Sequence, residues 1–244
     1  MRTIFFNKAK LKSILSMVFI VAVCIGLMVF DNSEELASPA GMEADLLKYV
    51  VSNGEKRNSA VSLMFMVDEN TDIGILSETI GILADNKIKV TFFVTGKFAE
   101  SQSDIMKQLT ANGHEIGVSG YEAVSPANLD YSENLAALEK ATTVIRNTTG
   151  NSVKLYSPPY GVLETDIYKA ANEQELKYIL ASVDSMDWDD VSTEAIISTV
   201  LNQAEKASFI SFHPTQMTNL GMQTIINELK GLGLGFMTIS ENLS

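Results

Sequence analysis

Along most of the chain, short apolar runs alternate with stretches in which apolar residues recur at helical spacing. Val61 to Val67 reads as a strand, and Ile73 to Asn86 as a helix with Ile75, Leu76, Ile80 and Leu83 on one stripe. Lys89 to Val94 is a second strand, rich in β-branched and aromatic residues. Ala99 to Asn112 is helical and Asn112-Gly113 stops it. Glu115 to Val118 is a short strand, and Glu133 to Thr149 a helix that Gly150 closes. The pattern continues with a strand near Leu155, a helix from Leu163 to Glu175 and a strand from Tyr178 to Ser182. A helix from Thr193 to Lys206, a strand from Ser208 to Phe212, a helix from Gly221 to Leu232 and a strand from Gly235 to Ile239 complete it. Strands alternating with helices predict a parallel sheet covered by helices, and about seven such units favour a barrel-like arrangement over a flat sheet.

The first 59 residues do not follow this rhythm. Residues 1–12 form a basic tail carrying Arg2, Lys8, Lys10 and Lys12. Residues 13–30 are an uncharged, mostly apolar run of about 18 residues, close to the shortest helix that crosses a bilayer. Cations before the run and Asp31, Glu34 and Glu35 after it predict a cytoplasmic N-terminus and an exported remainder. A cleaved signal peptide competes with an uncleaved anchor; the length and flanks of the run favour the anchor. Residues 31–59 read as a linker, with a short amphipathic helix from Glu43 to Val51, and residues 60–244 as one domain.

Charge and cysteine content narrow the partners. The chain carries −12, and the four cations before the apolar run leave −16 for the remainder. That balance argues against nucleic acid and against a basic face held to anionic lipid. Cys24, inside the apolar run, is the only cysteine, so the domain has no disulfide and no cysteine metal site.

Five segments fall at or just beyond the C-terminal ends of predicted strands, where the active site of an α/β barrel sits. They are Leu63 to Asp68, Gly113 to Ala123, Tyr156-Ser157-Pro158-Pro159-Tyr160-Gly161, Asp184-Ser185-Met186-Asp187-Trp188 and Ser211-Phe212-His213. In order and spacing they resemble the NodB-homology domain of polysaccharide deacetylases, carbohydrate esterase family four. The resemblance covers almost all of residues 60–240 and implies an irregular (β/α) barrel with fewer than eight strands. It also implies removal of N-acetyl groups from a sugar polymer. A divalent metal, commonly zinc, would be held by one Asp and two His, with a second Asp as base and a His as acid.

At the positions that carry this chemistry the chain departs from the family. Met66 stands at the base, Val67 at the metal-binding Asp, and Ser119 and Ala123 at the two His. Asp68 occupies a glycine position, and Ser157 replaces the Arg that would balance the base. The resemblance retains Asp187 and His213, which in the family form a pair that tunes the acid. It also retains Pro159, Tyr160 and Trp188, which would line the sugar groove, where a flat aromatic face stacks on a pyranose ring. Trp188 as a core aromatic is the competing reading.

These residues predict an exported, membrane-anchored deacetylase-like protein that lacks metal-dependent activity and has no metal cofactor. Its expected partner is envelope glycan or an envelope protein. One alternative is an active hydrolase of N-acetyl groups that holds zinc through replacement ligands among Asp68, His114, Glu122 and His213. A second is a structural interaction protein whose groove has closed.

Overall fold

The computed structural model describes residues 49–244. The basic tail, the apolar run 13–30, residues 31–48 of the expected linker and most of the expected helix from Glu43 lie outside the described residues. Among the described residues no helix is long and apolar enough to cross a membrane.

The elements alternate as the periodicity predicts. Strands β1 (Val50–Val51) and β2 (Ala60–Val67) precede helix α1 (Ile73–Asp85). Strand β3 (Thr91–Val94), helices α2 (Gly96–Ser101) and α3 (Ser103–Ala111), strand β4 (Glu115–Val118) and helix α4 (Tyr131–Thr149) follow. The second half holds β5 (Leu155–Tyr156), α5 (Thr165–Glu173), β6 (Lys177–Ile179), β7 (Val183–Asp184), α6 (Thr193–Gln203), β8 (Phe209–Phe212), α7 (Gln216–Gly231), β9 (Gly235–Phe236) and α8 (Ile239–Asn242). Side chains cap the helices where the sequence offers them. Asp72, Thr95, Ser192 and Thr215 accept from first-turn amides, and Asp130 with Glu133 makes a reciprocal capping box on α4.

All strands pair in parallel, in the order β1-β6-β5-β4-β3-β2-β8-β7, with β9 on the start of β2. The sheet is a curled half-barrel, and the chain itself shows how far it curls. β6 lies next to one edge strand and β7 is the other edge, yet only Leu180, Ala181 and Ser182 separate them. Four residue steps reach about 14 Å at most, so the two ends of the sheet must approach one another. An antiparallel bridge from Asn53 to Ser208 spans the same opening.

The two faces of the sheet carry different cores. Phe65, Phe92 and Phe212 stack at 5.4 and 5.6 Å between sheet and helices, with Leu76, Leu83, Leu138, Ile145 and Ile225 around them. Met64, Phe93, Leu155, Ile179 and Phe209 fill the inside of the curl, and Ile239 of α8 joins them. Burying side chains of this size stabilises the fold by about 1.5–3 kcal/mol each. Gly117 admits the inner layer: a Cβ there would lie 2.4 Å from the Phe93 ring.

The expected linker 31–59 needs correction. Val50 and Val51 are strand, not helix; they pair with Tyr178 and Ile179. The Gly54 and Glu55 amides donate to Ala207 and Asn242. The domain therefore includes at least residues 50–59. The single helix expected over 99–112 is two, because Gln102 leaves helical geometry (φ −121°, ψ 46°). The last expected strand ends early, and residues Ile239–Asn242 turn into α8 behind a Thr238–Glu241 capping box.

Candidate functional site

The C-terminal ends of β2, β4, β5, β7 and β8 meet at an open cavity of about 590 Å³. Its lining takes residues from every one of the five sequence segments. Period-two alternation explains the floor: on β2, Met64 and Met66 face the inside of the curl while Phe65 faces the helices. Leu180 and Ala181, in the crossing between β6 and β7, complete the apolar floor. Ser119, Ala123 and Ser157 stand around it, and Val67 closes the end of β2.

One wall carries the Asp187–His213 pair. The Asp187 carboxylate, in a residue only 5% exposed, accepts from the His213 amide at 2.8 Å and from Thr218 Oγ1 at 2.6 Å. Its other oxygen lies 2.9 Å from His213 Nδ1. Three polar contacts satisfy a buried acid that would otherwise be costly. They also commit Nδ1, which leaves Nε2 as the uncommitted ring nitrogen of a side chain that lines the cavity. Thr218 was not legible as a partner, because it lies in the first turn of α7 and reaches Asp187 only through the fold.

The rim is aromatic. Tyr160 is 75% exposed and Trp188 57% exposed, and both line the cavity beside Pro158 and Pro159. Trp188 is thus not a core residue. Its indole N–H donates to Asp184 Oδ2 at 3.1 Å, while Asp184 Oδ1 accepts from the Met186 amide at 2.9 Å. Tyr160 and Met186 hold positive φ (both 61°), a conformation uncommon for bulky residues that clusters at functional sites. The Tyr160 hydroxyl donates to the Ala123 carbonyl at 3.3 Å.

The replacement ligands weighed from sequence do not converge. His114 lies at the opposite end of β4 from Ser119, 6% exposed, with its ring edge-on to Phe92 and its Nδ1 accepting from the Val90 amide. Burial, with the nearby Lys89 charge adding to it, lowers its pKa from 6.5 to about 4. Glu122 pairs with Lys97 at 3.4 Å and lines a neighbouring cavity of about 250 Å³ instead. Asp68 does line the main cavity, but its Oδ1 accepts from the Asn70 amide at 2.8 Å in a local turn. Among the described residues no group of three or more His, Cys, Asp or Glu is placed to hold a metal ion. Valine, serine and alanine at the three ligand positions do not fit the zinc that the family resemblance implies.

Sequence reasoning passed over Glu69. Its carboxylate accepts from the Ala123 amide and from Thr95 Oγ1, both at 3.1 Å. It thereby ties the loop after β2, which follows Val67, to Thr95 at the end of β3 and to the loop after β4 that carries Ala123. The only signal was its position directly after Asp68.

Comparison with known proteins matches the polysaccharide deacetylase family over residues 54–179, just over half of the chain. The chain belongs to the polysaccharide deacetylase family. It is 29% identical over 192 residues to a peptidoglycan-N-acetylglucosamine deacetylase of Bacillus cereus, covering 77% of this chain and 69% of that one. It is 26% identical over 166 residues to the uncharacterised Bacillus subtilis protein YlxY, covering 68% of this chain and 52% of that one. The match thus spans about half of YlxY. Among solved structures, wild-type BA3943 of Bacillus anthracis, a CE4 family pseudoenzyme, superposes with a TM-score of 0.76. That likeness covers 80% of this chain and 69% of BA3943 at 24% identity, and speaks to the deacetylase fold alone.

Proposed function

We propose that this deacetylase-like protein is anchored to the membrane by residues 13–30 and exported, has no catalytic metal, and binds envelope glycan in the groove its family uses for substrate. One observation carries the reading: the groove is open and rimmed by Tyr160 and Trp188, while Val67, Ser119, Ala123 and Met66 stand where ligands and base would be. Exposed aromatic faces with a few fixed polar groups suit weak binding of an extended sugar polymer. An open cavity of about 590 Å³ also speaks against the closed-groove alternative.

The intact Asp187–His213 pair supports a second reading, an active N-acetyl hydrolase. An acid without an activated water opposite it has nothing to protonate, so that reading needs a metal from elsewhere. Metal analysis of the purified protein followed by zinc titration separates the two. No stoichiometric zinc, together with millimolar-to-micromolar binding of chitin or peptidoglycan fragments (on the order of −4 to −8 kcal/mol), supports the first. Stoichiometric zinc with release of acetate establishes the second. Protease added to intact cells should remove the acidic domain and leave the anchor; a soluble mature protein beginning near Gly41 would make the apolar run a cleaved signal.

A further inference from the structure

The inner end of the groove has a chemical character of its own. Met64, Met66, Leu180 and Ala181 form its floor, and Ala123 and Pro214 extend the apolar surface. Ser119 and Ser157 lie in the lining, both almost fully buried, and neither hydroxyl makes a hydrogen bond to another described residue. The whole groove, from this floor to the rim under Tyr160 and Trp188, is about 590 Å³, in the range of pockets that enclose whole small molecules, so it has room for a sugar and a substituent together.

A sugar ring pressed onto this floor would lose water from its hydroxyls and find thioether and hydrocarbon in return. An alkyl chain would lose nothing polar, and methionine side chains adapt to its shape. A group with one carbonyl and an apolar tail matches the whole lining, since the Ser119 and Ser157 hydroxyls can donate to the carbonyl while the tail meets Met64, Met66 and Leu180. We propose that the inner groove binds the acyl chain of an N-acylated amino sugar, with a chain of about four to eight carbons rather than acetyl. The sugar itself lies against Tyr160 and Trp188. This rests on the glycan-groove reading above and adds the substituent that the groove selects.

The test titrates the full-length protein with N-acetyl-, N-butanoyl-, N-hexanoyl- and N-octanoylglucosamine, each below its critical micelle concentration. Binding is read by calorimetry and by the emission of Trp188, the only tryptophan in the chain. Affinity should rise about three- to fourfold for each added methylene up to hexanoyl, the equivalent of burying one CH₂. Met66→Asp should flatten that gradient and Met66→Leu should keep it, with thermal melting used to confirm that both variants are folded. Equal affinity across the series overturns the acyl-chain proposal and leaves the glycan groove standing. If neither the series nor chitin fragments bind, the glycan groove falls and the proposal falls with it. A gradient that survives Met66→Asp places the chain elsewhere and also overturns the proposal.

Discussion

Protonation of His114 should destabilise this domain in mild acid, and the size of the effect follows from its surroundings. The ring is buried between β3 and β4, edge-on to Phe92 at 5.2 Å, with Nδ1 taking the Val90 amide as a donor. Burial and Lys89 lower its pKa to about 4 from 6.5. Between those values the unfolded chain binds a proton that the folded chain refuses, so stability rises with pH across the window. The contribution is complete above pH 6.5 and is lost as pH falls towards 4. Integrated over the shift, it amounts to about 2 kcal/mol between pH 7.5 and pH 5, and about 3 kcal/mol by pH 4. Urea denaturation of the wild type and of His114→Gln at pH 7.5, 6 and 5 measures it. The Gln amide oxygen can still accept from Val90 but does not titrate. Carboxylates shared by both proteins cancel in the difference, so the wild-type advantage should shrink by about 2 kcal/mol from pH 7.5 to 5. A difference that stays constant with pH would refute a buried neutral histidine. Zinc that raises the melting temperature of the wild type and not of His114→Gln would place this ring in a metal site and refute its structural role outright.

Two further perturbations test the groove. Trp188→Ala should weaken binding of chitin fragments by about 1–3 kcal/mol, because it removes a stacking face. The same change should cost less than about 1 kcal/mol of folding stability, because the ring is exposed and held by one hydrogen bond to Asp184; a large drop in melting temperature with unchanged glycan affinity would reverse the assignment. Glu69→Ala should destabilise the domain by about 1–3 kcal/mol, because the Ala123 amide and Thr95 hydroxyl lose their acceptor, and Glu69→Gln should recover part of it. Thermal melting that does not distinguish the three proteins would show that this tie is idle.

Much of the fold could be read from periodicity because local signals and tertiary packing agree. Helix α4 is the clearest case: Asp130 and Glu133 start it, Leu138 and Ile145 face the core, and Gly150 at φ 76° ends it. What could not be read was held by long-range contacts. Val50 and Val51 are strand only because β6 lies beside them, and two residues carry no periodicity of their own. The strand expected from Tyr178 to Ser182 ends at Ile179, because the chain crosses the mouth of the curl there, from β6 to β7. In the site, residues of all five segments line one cavity, and Asp187 lies 2.9 Å from His213 Nδ1. Glu69 and Thr218 went unread because their roles exist only between elements distant in sequence.

Those unread contacts bear on what holds the groove in shape. In a metal-dependent member of this fold, one ion would join the end of β2 to the loop after β4. Here the Glu69 carboxylate, two residues past β2, accepts from the Ala123 amide after β4 and from the Thr95 hydroxyl after β3. Across the cavity, Asp187 holds β8 and α7 through His213 and Thr218, and Asp184 holds the turn that presents Trp188. Carboxylates bonded to amides and hydroxyls thus fix the walls, and none of them requires a cation. Below them, Met64 and Met66 pack with Phe93 and Leu155 as a continuous inner core. With the walls held by those bonds, the shape of the groove places no demand for a cation on Val67, Ser119 and Ala123. The scaffold therefore sets what the groove can hold, and the side chains of Met66, Val67, Ser119 and Ala123 set what it can do with it.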